Sequence, residues 1–265
     1  MCAEFLTISS GRVREVGKLS TSALATSSAL PWPSAAETLC LGSNQIHVWC
    51  ARLDDFHREL PRFQAMLSSV ERMKSERFRF PKDHDSYVIR HGLLRMILGR
   101  YLEKFPSEIE FCYGQFGKPQ IKEDPVRSPL HFNDSHSGDL VLYAVTRACP
   151  IGVDVEQLRA VPYFEEIASR FFSPREAEML MALPTECRME GFFACWTRKE
   201  AFLKATGEGI SERLAKVEVT LAPWEEAKFL RIAEGPQAQA EWQLRSFSPA
   251  TEYLAAVAFK QETVA

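Results

Sequence analysis

Apolar residues along this chain change spacing several times, and the changes mark its elements. Residues 45–51, Gln45-Ile46-His47-Val48-Trp49-Cys50-Ala51, alternate as a strand does. Over 63–79 and 83–102 the spacing becomes helical, with Tyr87, Leu94, Leu98 and Leu102 recurring along one stretch. Short strands are predicted at 111–113, 120–121, 130–132, 140–145 and 151–156, separated by Gly, Pro and Asp turns. Helices follow over 164–172, 174–183 and 189–206. Ser173 as cap, Pro174 at the first helical position and Glu176 completing a capping box mark one start, while Gly207 and Gly209 mark one end. Strands at 216–221, 239–245 and 252–259 complete the chain. Strands come in runs instead of alternating with helices, so the pattern predicts an α+β fold. Each half offers strands and one long helix, and element order alone suggests a duplication.

Residues 1–42 are rich in Ser, Ala and Thr and lack a periodic apolar face. That composition predicts a disordered extension, followed by an N-terminal half over 43–149 and a C-terminal half over 150–265. Acids are few and Ser abundant there, as in a targeting peptide, but a compact basic, apolar and small-residue signal is missing. Across 265 residues, hydrophobic side chains make up 46% and charged ones 25%, ordinary for a globular protein. No apolar run approaches the roughly 20 residues of a membrane helix, so no membrane partner is expected. A formal charge of −3 supplies no basic field for nucleic acid. The seven cysteines form no C-x-x-C pair, which predicts reduced thiols in a cytoplasmic protein and no disulfide framework or zinc site.

Two short motifs carry the clearest chemistry. In Gly152-Val153-Asp154-Val155-Glu156 the two acids lie two apart in a β-branched run, so in a strand their carboxylates share a face. In the nine residues from Trp196 to Lys204, Glu200 and Lys204 lie four apart on a helix. Hard oxygen ligands suit Mg²⁺, and a lysine beside it can hold a phosphate as a point charge. Plainer readings stand beside these. Acids alternating with valine also line the wet face of an antiparallel strand. Glu before Lys at this spacing is a common helix-surface pair. However, Phe192, Phe193, Trp196 and Phe202 crowd the same helix, so its face is not wholly wet. Around His136, the string from His131 to Ser137 reads as a turn after a strand, with Asn133 and Ser135 fixing the turn and the imidazole available to a phosphate. Gly117-Lys118-Pro119 reads as a hairpin turn with an exposed lysine.

Taken in order, these strings resemble the 4′-phosphopantetheinyl transferase superfamily, in its larger two-half, surfactin-synthetase-activating type. The resemblance runs from about Gln45 to Phe259. It implies two pseudo-symmetric halves, each a small, mostly antiparallel sheet packed on a long helix, with the active site in the cleft between them. It also implies transfer of the phosphopantetheine arm of coenzyme A to a serine of an apo acyl or peptidyl carrier protein, releasing adenosine 3′,5′-bisphosphate. By that resemblance Asp154, Glu156 and Glu200 bind Mg²⁺, and Glu200 is also the base for the carrier serine. Lys204 contacts phosphate, His136 lies near the coenzyme phosphates with Asn133 and Ser135, and Gly117, Lys118 and Pro119 form a coenzyme-binding loop. Lys74 matches a coenzyme contact near a basic helix end, with Arg77, Lys82 and Arg90 as neighbours. The implied protein is a monomer that meets its carrier near 157–172, where Arg159, Tyr163 and Arg170 are candidate contacts. Phe164 and Phe171 are expected instead to be core residues of a helix. Two other readings remain open: a non-catalytic relative that binds coenzyme A or a carrier, and a Mg²⁺-dependent phosphohydrolase.

Overall fold

Two antiparallel sheets meet along one seam, and each is backed on its outer side by a helix of 22 residues. The computed structural model describes residues 2–9, 12–20, 39, 41–42, 45–122, 129–207, 214 and 217–261. The first sheet has strand order β2-β1-β3-β7-β6, formed by β1 (Cys2–Ser9), β2 (Arg12–Ser20), β3 (Ile46–Arg52), β6 (His131–Ser137) and β7 (Leu140–Thr146). The second has order β11-β12-β8, from β8 (Ile151–Gln157), β11 (Trp242–Phe247) and β12 (Tyr253–Lys260). Two small hairpins are added: β4 (Phe111–Tyr113) with β5 (Pro119–Ile121), and β9 (Val217–Val219) with β10 (Phe229–Ile232).

Strand alternation explains the layering. Val141, Tyr143 and Val145 of β7 turn to the long helix α3 (Pro81–Leu102) and share its core with Phe63, Leu93 and Ile97. Leu140, Leu142 and Ala144 turn the other way and meet Val153, Val155, Ala255 and Val257 of the second sheet. On β8 the odd positions therefore enter the seam. The even ones, Gly152, Asp154 and Glu156, face α6 (Thr185–Thr206). Opposite them on β12 stand Ala258, Ala256 and Leu254, and the small alanines let the helix come close.

The predicted helices and strands recur with shifted ends: α4 is Phe164–Phe171, α5 is Pro174–Ala182, and the Ser173–Glu176 capping box is present. Four expectations change. The single helix expected over 63–79 is divided into α1 (Leu60–Met66) and α2 (Ser69–Ser75). Ser68 starts a new helix by accepting from Glu71 N, with the Glu71 carboxylate accepting from Ser68 N. The segment 239–245 begins in a short helix, α7 (Pro236–Glu241), before β11. The string around His136 is strand throughout, paired with β7. Finally, Cys2–Ser9 and Arg12–Ser20 do not form the expected disordered extension but an antiparallel hairpin on β3. An open β3 edge would present a row of unpaired backbone groups, and the hairpin covers it. The rest of 1–42, apart from Leu39, Leu41 and Gly42, lies outside the described residues.

Candidate active site

The seam leaves β6 and β8 side by side without a backbone ladder between them, and side chains of β6 complete the pairing. Asn133 Oδ1 accepts from Val153 N at 2.9 Å, Ser135 Oγ from Val155 N at 3.4 Å, and Ser137 Oγ from Gln157 N at 3.1 Å. The polar residues at every second position of β6 thus stand in for carbonyls along the edge of β8. Two of them continue into the acids. Ser135 Oγ donates to Asp154 Oδ1 at 2.9 Å, and Ser137 Oγ donates to Glu156 Oε2 at 2.7 Å.

The helix brings the remaining groups. Gly152 is required here: a Cβ at this position would stand 2.1 Å from the Ala201 carbonyl oxygen and 2.4 Å from Ala205 N. Strand backbone therefore lies on helix backbone, and α6 ends just beyond, at Gly207 with φ 74°. Lys204 Nζ reaches across to Asp154 Oδ1 at 2.6 Å and to Ser135 Oγ at 2.9 Å. The lysine thus pairs with the strand acid, not with Glu200 as a simple helix-surface pair would. The plain reading of Asp154 on a wet strand face also fails, since this residue is 4% exposed.

The electrostatics show carboxylates that burial leaves short of positive charge. Burial pushes Glu200 up to about 7, with repulsion from Asp154 and Glu156 adding to it and Lys204 opposing. Burial also raises Asp154, against the pull of the Lys204 ammonium, and raises Glu156, with Asp154 contributing. For Lys204 burial works downward, but Asp154 beside it wins and the ammonium is held above its usual range. Asp154 Oδ2 and Glu200 Oε1 are buried and have no hydrogen-bond partner among the described residues. Such orphaned oxygens, in a trio of mutually repelling acids, fit a divalent cation. In the arrangement described, Asp154 is instead engaged by Lys204, and no three His, Cys, Asp or Glu side chains of the described residues are gathered as a ready metal cluster.

Around the trio stand histidines and cations. His136 Nδ1 accepts from Arg90 Nη1 at 3.2 Å, which leaves Nε2 as the protonated nitrogen. Burial and the neighbouring Arg90 push His136 down to about 4, so without a bound anion its ring is neutral at pH 7. Asp134 acts on both His136 and Lys204, and His91 on His136. The motifs do not point to Asp134, His91 or Ser137. For Ser137 the every-second-residue polar pattern Asn133, Ser135, Ser137 is a signal, and it belongs to a strand edge and not to a turn.

The other candidates are placed more loosely. Lys74 is exposed in the last turn of α2, its ammonium 5.6 Å from the Tyr87 ring. Gly117 lies in the β4–β5 turn at φ 79°, and Pro119 begins β5 opposite Tyr113. Lys118 does not project freely: its ammonium donates to the carbonyls of Ile151, Lys204 and Ala205. Tyr163 is 75% exposed at the start of α4, while Phe164 and Phe171 pack on the C-terminal core.

A fold of two sheet-and-helix halves, with acids, a lysine and a histidine gathered at their seam, defines an α+β protein of two similar halves. Family models described as "4'-phosphopantetheinyl transferase, N-terminal" and "4'-phosphopantetheinyl transferase superfamily" match residues 52–148 and 150–258. The 4'-phosphopantetheinyl transferase HetI of Nostoc sp. is 40% identical over 227 residues, 86% of this chain and 92% of that one. Sfp of Bacillus subtilis, also a 4'-phosphopantetheinyl transferase, is 35% identical over 62% of this chain and 70% of its own. The chain belongs to the 4′-phosphopantetheinyl transferase superfamily. A holo-[acyl-carrier-protein] synthase structure from Thermotoga maritima overlaps at TM-score 0.34 and 20% identity, covering 43% of this chain and 64% of that one, too little to carry an argument.

Proposed function

We propose that this chain transfers the 4′-phosphopantetheine arm of coenzyme A to a serine hydroxyl of an apo acyl or peptidyl carrier protein, with Mg²⁺, releasing adenosine 3′,5′-bisphosphate. The observation that carries this reading is the pair of orphaned buried oxygens, Asp154 Oδ2 and Glu200 Oε1, beside the Lys204 ammonium at the seam. Asp154, Glu156 and Glu200 are the residues that would hold Mg²⁺. The ion would neutralise the coenzyme pyrophosphate and stabilise the departing bisphosphate.

The chain's own residues supply the rest. In transfer, the serine oxygen bonds to the phosphorus bearing the pantetheine arm, and the bridging oxygen leaves with the bisphosphate. Glu200, buried beside the other two acids, is the group placed to take the serine proton, an effect of about 10²–10⁴-fold for a well-placed base. Lys204 holds phosphate charge with its ammonium, and His136 offers its Nε2–H while Arg90 holds the other ring nitrogen. Asn133 and Ser135 act at one remove, by keeping β8 and Asp154 in place. The protein works as a monomer in the cytoplasm. Cys112, Cys187 and Cys195 are free thiols, and no described helix is long and apolar enough to cross a membrane.

The test is incubation of the full chain with coenzyme A, an apo carrier and Mg²⁺, followed by the mass of the carrier. A gain of one phosphopantetheine that vanishes with chelator, and with Glu200→Gln at unchanged thermal stability, is expected. An unmodified carrier that is nevertheless bound points to a non-catalytic relative. Inorganic phosphate released without a carrier points to a phosphohydrolase.

A further inference from the structure

We propose that Lys118 is a positioning residue, latching the β4–β5 hairpin of the N-terminal half onto the two elements that carry the site. The proposal rests on the transferase reading for its kinetic consequence, though not for its geometry. Lys118 Nζ lies 3.0 Å from the Ile151 carbonyl, 2.6 Å from that of Lys204 and 3.2 Å from that of Ala205. The first carbonyl begins β8, the strand of Asp154 and Glu156. The other two belong to the last turn of α6, the helix of Glu200 and Lys204.

Helix-end carbonyls lack intrahelical partners and carry the negative end of the helix dipole, so an ammonium is favoured there. An ammonium has three protons to donate, and three carbonyls receive them here. None is left for a coenzyme phosphate, which departs from the role the resemblance implies for this lysine. Burial pushes the amine down to about 8, a cost that the three carbonyl dipoles offset in place of a counter-ion. The stem lies over the helix cap: a Cβ on Gly207 would meet Lys118 Cδ at 3.7 Å. The hairpin presents the lysine with its own bonds, Gly114 N to the Lys118 carbonyl at 3.0 Å and Gly117 N to the Gly114 carbonyl at 2.9 Å.

The latch closes where strand backbone already rests on helix backbone, at Gly152. The residue whose carbonyl it grips most closely, Lys204, is the one whose side chain holds Asp154. Releasing the carbonyls frees the last turn of α6 to fray, and fraying moves the Lys204 ammonium off Asp154. The effect on transfer is therefore one of rate, because the ammonium spends its three donors on backbone carbonyls.

The experiment uses the full chain carrying Lys118→Met, which keeps the stem and loses the donors, beside Lys118→Arg, which restores donors. Transfer kinetics and hydrogen exchange of the ligand-free protein are both read. For Lys118→Met we expect kcat to fall about tenfold, KM for coenzyme A to change less than about twofold, and amides 203–207 to exchange about tenfold faster. Amides in the middle of α3 stay unchanged, and Lys118→Arg recovers most of both effects. A raised KM with kcat preserved, or unchanged exchange at 203–207, overturns the proposal. If Lys118→Met does not fold, Lys118→Gln is judged by the same two outcomes. A wild-type chain that fails to transfer sinks the transferase reading, while the exchange measurement still decides the latch.

Discussion

Gly152→Ala is the sharpest perturbation available, because the new methyl group meets only backbone. Its Cβ would stand 2.1 Å from Ala201 O and 2.4 Å from Ala205 N, where real contacts essentially never fall below 3.0 Å. No side chain can rotate away, so β8 and α6 must part by about 1 Å. Overpacking of a tight core costs about 1–3 kcal/mol, and a clash with two backbone atoms belongs at the upper end. For a chain of this size about 3 kcal/mol lowers Tm by roughly 6–12 °C. The same movement pulls Lys204 away from Asp154, now 2.6 Å apart, and a misplacement of about 1 Å can cost about 10²-fold in turnover. Scanning calorimetry and carrier-modification rates on the purified variant measure the two effects separately. A variant melting within about 1 °C of wild type and turning over within about twofold would refute the claim that this contact sets the site.

Two further outcomes follow from the seam and the core. Asn133→Ala strands the buried Val153 N–H and should lower stability by about 1–3 kcal/mol in urea unfolding; no loss would mean that β8 does not depend on β6 for its pairing. His47 is buried, with Nδ1 2.7 Å from Tyr101 Oη, and burial lowers its pKa to about 4 from an ordinary 6.5. The folded protein therefore refuses a proton that the unfolded chain accepts. His47 makes stability fall as pH drops from 6.5 toward 4, by up to about 3 kcal/mol, and costs nothing above that window. His47→Gln should flatten this part of the pH–stability curve, and identical slopes for variant and wild type would rule the effect out.

Element identity was largely readable from the chain because it depends on local order. The Ser173–Glu176 box, the long helical period before Leu102 and the β-branched run at Ile151 each act within a few residues. The departures have two causes, a local signal masked by a stronger pattern and partners distant in sequence. The break at Ser68 is a local capping signal that the helical period over 63–79 obscured. The hairpin of Cys2–Ser9 and Arg12–Ser20 depends on an edge of β3 that composition does not reveal. The string from His131 to Ser137 looked like a turn because its polar residues are turn-formers; β7 on one side and β8 on the other make it a strand.

The residue types alone determined that two acids of one strand share a face and that an acid and a lysine share a helix face, since backbone periodicity requires both. Their meeting across 46 positions, from Asp154 to Glu200, was settled only by packing. Gly152 removes the side chain that would hold the helix away, Ala256 and Ala258 keep the neighbouring strand thin, and Lys118 ties down the helix end from the other half. So was the protonation of the site: a carboxylate near 7 and an imidazole near 4 are products of burial and neighbouring charge, which exist only in the folded chain.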